Sequence, residues 1–288
     1  MSKHAAADAV TELLGVPVEG VSLLGGAAYE VRLTSGDRVV AKSHDNPDAV
    51  RAEAASLLWL AAPAVVPVPG LRAKSDRWLV TDLVPSGSPD CNAAQELGRG
   101  LARLHAAGAP TFGCPPEDGP ADASIGLAPM RNTACATWTE FYGRYRIEPY
   151  LRTAVGRGTI KAGEAGVFRQ VIDRLDEIAG PPEPPARLHG DLWSGNVLWA
   201  AGGRAWLVDP AAHGGHRETD LAMLCLFGCP HLEAVLSAYD EEAPLAEGWR
   251  ERIPLHQLFP LLVHTVLFGG DYAGQAVGAA RAALRSRR

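Results

Sequence analysis

The sequence has no Cys-x-x-Cys pair, no long uninterrupted apolar run and no excess of basic residues, and each absence closes off a class of protein. Its five cysteines, Cys91, Cys114, Cys135, Cys225 and Cys229, are odd in number and spaced for neither a zinc site nor a disulfide framework. Cys225 and Cys229 are expected to pack on one face of a helix. The longest apolar stretch, around Leu258 to Phe268, contains His264 and is too short to cross a bilayer. The opening Met1-Ser2-Lys3-His4, followed by alanines and acids, lacks the apolar core of a signal peptide, so a cytoplasmic protein without a membrane partner is expected. A net charge of −6 and a pI of about 5.9 leave no basic footprint for nucleic acid. Arg281, Arg285, Arg287 and Arg288 read as a solvated helix end. What remains is 288 residues, 47% hydrophobic and 21% charged, enough for a sizeable core and two lobes of one catalytic unit.

The chemistry is concentrated in His189-Gly190-Asp191-Leu192-Trp193-Ser194-Gly195-Asn196 and in Leu207-Val208-Asp209-Pro210. Val197-Leu198-Trp199 and Trp206-Leu207-Val208 read as short buried strands joined by a turn over Ala200-Ala201-Gly202-Gly203-Arg204. Asn196 and Asp209 flank the two strands, so an antiparallel hairpin is expected to set them opposite each other, with Cα atoms roughly 5 Å apart. Two such oxygens suit Mg²⁺, which takes a few protein ligands and fills its other octahedral positions with water and nucleotide phosphate. Asp191, on the loop that delivers Asn196, is placed to accept the proton of a substrate hydroxyl as it attacks the γ-phosphate of ATP. The pattern has the His-x-Asp-Leu-x-x-x-Asn form of a kinase catalytic loop, with Gly in place of the usual Arg.

Upstream, Val21 to Leu24, Tyr29 to Leu33 and Arg38 to Lys42 read as strands, and Gly25 and Gly26 fall in the first hairpin turn, where small residues let backbone N–H groups approach phosphates. Lys42 ends Val39-Val40-Ala41-Lys42, which matches the strand that carries the phosphate-binding lysine of kinases. The next helix opens at Asn46-Pro47 and runs to about Leu60, with Val50, Ala54, Leu57, Leu58 and Ala61 as its apolar stripe. Glu53 falls on that stripe, and a carboxylate facing a core needs a partner, for which Lys42 is the natural cation. Arg77 to Val84 reads as a further strand, and residues 85–89 as a hinge. Asp82, Leu83 and Val84 would then present backbone groups to adenine. His105 stands beside the Leu97, Leu101 and Leu104 stripe and reads as structural.

On these motifs the chain resembles the fructosamine kinase (ketosamine 3-kinase) family, within the aminoglycoside phosphotransferase and choline kinase branch of protein-kinase-like folds. The Trp193-Ser194 pair carries the resemblance, together with residues 215–224, the Asn132, Trp138, Phe141, Arg146 and Pro149 pattern, and residues 253–270. It implies an α+β, bilobal fold, with a small β-rich N-lobe containing one helix (residues 1–87, including the hinge) and a larger, mainly helical C-lobe (residues 88–288). It also implies ATP-dependent phosphorylation of the 3-hydroxyl of a ketosamine, free or on a glycated protein lysine, giving a labile phosphate whose decomposition frees the amine. Carried over by position, Asp191 is the base, Asn196 and Asp209 hold Mg²⁺, Lys42 binds phosphate and Glu53 positions it. Asp220 braces the catalytic loop from the start of a helix, a place compatible with a plain N-cap, and Trp193 and Trp138 line the sugar pocket. No role is assigned to His216, Arg217 or Glu218. Gly25-Gly26-Ala27-Ala28 stands where several eukaryotic members carry a cysteine, so redox control through that loop is not expected. Phosphorylation of an aminoglycoside or another amino alcohol is the competing enzyme reading. A catalytically dead nucleotide-binding module is the third.

Overall fold

The computed structural model describes residues 2–285; Met1 and residues 286–288, which include Arg287 and Arg288 of the expected helix end, lie outside the described residues. Strands β1 (Val18–Gly25), β2 (Ala28–Leu33), β3 (Arg38–Ser43), β4 (Leu71–Lys74) and β5 (Trp78–Asp82) form an antiparallel sheet in the order β1-β2-β3-β5-β4. The register places Lys42 between Ala28 and Leu79, near the centre of the sheet. Strand alternation gathers Tyr29, Val31, Leu33, Val39 and Ala41 on one face. Helix α1 (Lys3–Leu14) covers that face with Ala6 and Val10. The N-lobe thus has two helices where the sequence pattern predicts one. The alanine-rich start carries a thin apolar stripe, but its caps are legible: the Ser2 side chain accepts the Ala5 N–H (3.2 Å), and Gly15 ends the helix in a left-handed conformation at φ 66°.

Helix α2 (Pro47–Ala61) starts as its sequence dictates, with Asn46 accepting the Asp48 N–H (3.0 Å) and Pro47 in the first turn. Its buried stripe is Val50, Glu53, Ala54, Leu57 and Leu60, while the expected Leu58 and Ala61 point to solvent. The stripe is set by two different surfaces. Val50, Ala54 and Leu57 pack on Leu79 of the sheet, and Leu60 reaches the C-lobe core beside Leu97, Leu101 and Leu207.

The C-lobe contains α3 (Cys91–Ala106), the hairpin β6 (Asp122–Ile125) and β7 (Ala128–Arg131), α4 (Trp138–Phe141), α5 (Glu148–Gly156), α6 (Ala165–Asp173) and α7 (Leu175–Ile178). It continues through β8 (Ala186–Leu188), the hairpin β9 (Val197–Ala200) and β10 (Arg204–Leu207), β11 (His213–Gly215), α8 (Glu218–Phe227), α9 (Leu232–Glu242), α10 (Trp249–His256), α11 (Leu258–Phe268) and α12 (Asp271–Arg285). Arg281 and Arg285 are exposed on α12, and no helix of the described residues is long and apolar enough to cross a membrane. Cys225 lies on α8, but Cys229 falls beyond the helix end, past Gly228, so the two do not share a helix face.

The centre of the lobe holds a buried cation. Arg146 lies on a π-helical turn between α4 and α5 and donates to Asn132 Oδ1 (2.6 Å) and to the Arg131 carbonyl (2.8 Å). Its guanidinium lies 4.4 Å over the Phe141 ring and 5.1 Å over Phe259. Burial pulls its pKa down to about 10, which still leaves it charged at neutral pH. Carbonyl and amide oxygens with two ring faces therefore solvate this cation in place of water. Arg146→Met should strand those acceptors and cost about 3 kcal/mol of stability. Chemical denaturation tests this, and a loss below about 1 kcal/mol would mean that the acceptors find other donors.

Candidate active site

The β9–β10 hairpin pairs Ala200 with Arg204 and Val197 with Leu207, and the Val208 N–H then donates to the Asn196 carbonyl (3.0 Å). Asn196 is therefore opposite Val208 and not Asp209, the expected partner. The turn over residues 200–204 is centred on Gly202, six residues from both Asn196 and Val208 but seven from Asp209, and Gly202 and Gly203 both take positive φ in it. Asp209 follows the pair in a left-handed conformation, φ 53°, a rare one for a residue with a side chain. Its carboxylate meets Lys42 Nζ at 2.9 Å. Asn196 Nδ2 donates to the carbonyl (2.8 Å) and carboxylate (3.1 Å) of Asp191, leaving its amide oxygen without a partner among the described residues. That oxygen and the Asp209 carboxylate are hard donors of the kind a divalent cation takes.

Asp191 is held by the segment before it. Gly190 has φ 81°, and a Cβ there would lie 2.1 Å from the Ala211 carbonyl oxygen, so only glycine fits between His189 and Asp191. His189 Nε2 donates to the Val208 carbonyl (3.0 Å), which leaves Nδ1 to accept the Asp191 N–H (3.3 Å). Asp220 accepts the N–H groups of His189 (2.7 Å) and Gly190 (3.0 Å), and His105 Nε2 lies 3.2 Å from it. Asp220 is the third residue of α8 and Arg217 occupies the N-cap position, so the N-cap reading of Asp220 fails while the brace geometry is present. His105 is structural, bonded through Nδ1 to the Tyr239 hydroxyl (2.8 Å). Burial pushes the Asp191 carboxyl up to about 6, with the Asp209 and Asp220 charges adding to the shift and the Asn196 bond opposing it.

Lys42 bonds Glu53 and Asp209, each at 2.9 Å, so one cation joins β3, α2 and the C-lobe hairpin. Burial works to lower its pKa, but the two carboxylates outweigh it and hold the lysine above its usual value. Burial would likewise raise Glu53, yet Lys42 and His44 keep it below the ordinary carboxylate range. His44 Nε2 lies 2.9 Å from the Glu53 carboxylate, a contact the sequence reading misses. Its signal was the strand period, which sets residues 42 and 44 on one face.

These groups share one cleft of about 700 Å³, lined by Lys42, Glu53, Asp191, Asn196 and Asp209. Trp193 also lines it, 41% exposed, with its ring lying where a Cβ on Gly195 would come within 2.2 Å. Trp138 does not reach the cleft. It is 5% exposed and stacked between Tyr142 (4.5 Å) and His256 (4.6 Å), because α4 turns it into the C-lobe core. Ala27 lines the cleft, and Gly25 and Gly26 lie at the adjoining hairpin turn. Asp82 is spent on the sheet edge: its N–H donates to the Gly70 carbonyl (3.0 Å), and its carboxylate takes the Gly70 N–H (3.1 Å) and Arg72 (3.0 Å). Its N–H is therefore not open to a base, whereas Leu83 and Val84 follow the strand end.

The three residues without an assigned role are internal. Glu218 takes the Arg252 guanidinium at 2.9 and 2.5 Å, and Arg217 grips Glu183 with two bonds of 2.7 Å. His216, Glu218 and His256 offer ligand atoms within 4.8 Å of one another, but a carboxylate already bidentate to arginine is a poor metal ligand. Burial drops His216 to about 3, so it stays neutral there.

A crystal structure from Thermobifida fusca, of a protein provisionally named fructosamine-3-kinase, superposes with a TM-score of 0.92 at 48% identity, covering 99% of this chain and 100% of that one. The probable ketoamine kinase YniA of Escherichia coli O157:H7 is 35% identical over 229 residues, 77% of this chain and 76% of its own length. A chloroplastic protein-ribulosamine 3-kinase of Arabidopsis thaliana is 32% identical over 204 residues, 69% of this chain and 60% of that protein. The fructosamine kinase family model matches residues 26–286, a span that runs from the first hairpin turn through the loop of Asp191 and Asn196 to the last helix, and the chain belongs to that family.

Proposed function

We infer that this chain transfers the γ-phosphoryl group of ATP to the 3-hydroxyl of a ketosamine, with Asp191 as base, Lys42 on the α- and β-phosphates, Glu53 positioning that lysine, and Asn196 and Asp209 holding Mg²⁺. Membership of the fructosamine kinase family makes the chain an ATP-dependent kinase with ketosamine acceptors. The observation that carries the residue roles is the unbroken set of contacts from Glu53 through Lys42 to Asp209, facing the bonded pair Asp191 and Asn196 across one cleft. In this reading residues 1–87 are the nucleotide-binding lobe and residues 88–288 the catalytic and substrate-binding lobe. Gly25 and Gly26 flank the phosphates, and Leu83 and Val84 meet adenine.

Asp191 takes the proton as the 3-oxygen bonds to the γ-phosphorus and the bond to ADP breaks. Asp220 keeps the loop carrying Asp191 in place through its two backbone bonds. Asn196 and Asp209 would hold Mg²⁺, which would supply charge to offset that on the phosphate oxygens. The acceptor is a ketosamine on a free amine or on a protein lysine, and the need for ATP fits a cytoplasmic location.

Two other readings fare worse. Polycationic aminoglycosides need acids converging on the acceptor side. Glu117, Asp118, Asp122, Glu140 and Glu148 are all absent from the cleft lining among the described residues. A dead module would be expected to lack one of Lys42, Glu53, Asp191, Asn196 or Asp209, and all five are present and assembled.

Release of ADP from ATP in the presence of ribulosamines or fructosamines, and its absence with kanamycin, is the expected result. Turnover of kanamycin with silent ketosamines overturns the acceptor assignment. Asp191→Asn should lower kcat by about 10²- to 10⁴-fold and leave the KM for ATP little changed. A surviving kcat with weakened ATP binding would remove Asp191 as base. Lys42→Ala and Glu53→Ala should each impair ATP use, while the double variant should be far less impaired than the product of the two effects. Strict multiplicativity in kcat/KM would mean that the pair does not act as a unit.

A further inference from the structure

The wall of the cleft contributed by α11 and the β6–β7 tip has a different character from the catalytic end. Pro260, Val263, His264 and Leu267 recur at the spacing of one helical stripe, and that stripe lines the cavity. Phe268 at the helix end is 67% exposed, and Leu127 at the hairpin tip is 93% exposed. The tip turns through Gly126 at φ 54°, whose missing Cβ would stand 3.7 Å from the Leu267 side chain, so hairpin and helix abut. From the catalytic loop, Trp193 meets Phe227 edge-on (6.3 Å between centroids), and Phe227 meets His264 (5.2 Å). The wall is therefore continuous with the loop that carries Asp191.

Charge separates the two ends. Among the described residues lining the cleft, Lys42 is the one lysine or arginine, and Glu53 and Asp209 both hold it. The lining carboxylates are Asp45, Glu53, Asp191 and Asp209, and none belongs to α11 or to the hairpin. Ser124 and His264 are the polar side chains of this wall, and the Nδ1–H of His264 already donates to the Pro260 carbonyl (2.7 Å). A carboxylate pressed against such a surface loses hydration and gains no cation. An alkyl or aryl group instead removes Leu127 and Phe268 from water.

If the acceptor is a ketosamine, as inferred above, its sugar hydroxyl must reach Asp191, and its amine substituent is the part that extends along the cleft. We propose that α11 and the β6–β7 tip form a subsite for that substituent, selecting amines whose substituent is uncharged and apolar over amines whose substituent carries a free carboxylate. Leu127, Leu267, Phe268 and Trp193 supply the contact.

The test uses the full chain and one ketose joined to methylamine, hexylamine, benzylamine or glycine, with kcat and KM read from ADP release. The KM of the hexylamine and benzylamine adducts should be about tenfold below that of the glycine adduct, with kcat little changed, because the substituent contributes binding shared by ground and transition states. Leu127→Arg, at an exposed tip whose replacement leaves the core intact, should narrow that gap by improving the glycine adduct and weakening the hexylamine adduct. Equal KM values for all four adducts, or an unchanged gap in Leu127→Arg, would overturn the subsite while the ketosamine kinase reading stands. Silence with every adduct would remove that reading and the subsite with it.

Discussion

A single buried carboxylate organises the end of the cleft that holds Asp191 and Asn196. Asp220 is 1% exposed and receives two backbone N–H groups of the loop that presents Asp191, with the His105 ring as its third neighbour. Burial alone would raise its pKa, but His105 and the loop donors hold it below the ordinary range, so it remains an anion with its acceptors in use. Through His105 and Tyr239 that anion is tied to α3 and α9, which pack closely against each other. The position of the loop is thus set by the C-lobe core.

One cation is among the groups that join the N-lobe to this frame, together with bonds such as that from the Ala212 N–H to the Ser56 hydroxyl (3.3 Å). Lys42 lies between Glu53 of α2 and Asp209 beyond the β9–β10 hairpin, and α2 itself sends Leu60 into the C-lobe core. A charge shared across the cleft and an apolar anchor beside it have different dependences. The ion pair weakens as its groups are hydrated, whereas the Leu60 contact persists while the core is closed. The cleft that results has its charges at one end and apolar side chains at the other, an asymmetry suited to an acceptor with a polar sugar and a separate amine substituent.

The parts legible in the sequence are those governed by local rules. Asn46-Pro47 capping, the alternation in Tyr29 to Leu33 and Arg38 to Lys42, and the two strands around Gly202-Gly203 follow from neighbours a few residues apart. The Lys42 and Glu53 pair was also within reach, because a carboxylate on an apolar helical stripe demands a cation and the preceding strand ends in one. Register was less secure. The hairpin is centred on Gly202 and so pairs Asn196 with Val208, one residue from the expected Asp209.

The sequence by itself determined that Asp191, Asn196 and Asp209 come from one short loop-and-hairpin unit, since the chain between them is too short to place them far apart. Only the tertiary structure decided which of two tryptophans faces the cleft. Trp193 is open because Gly195 lets its ring lie across the loop, and Trp138 is closed because α10, more than a hundred residues away, brings His256 against it. The same holds for Leu58, Asp82 and the wall on α11: exposure is a property of what packs on a residue, and those surfaces arrive from distant parts of the chain.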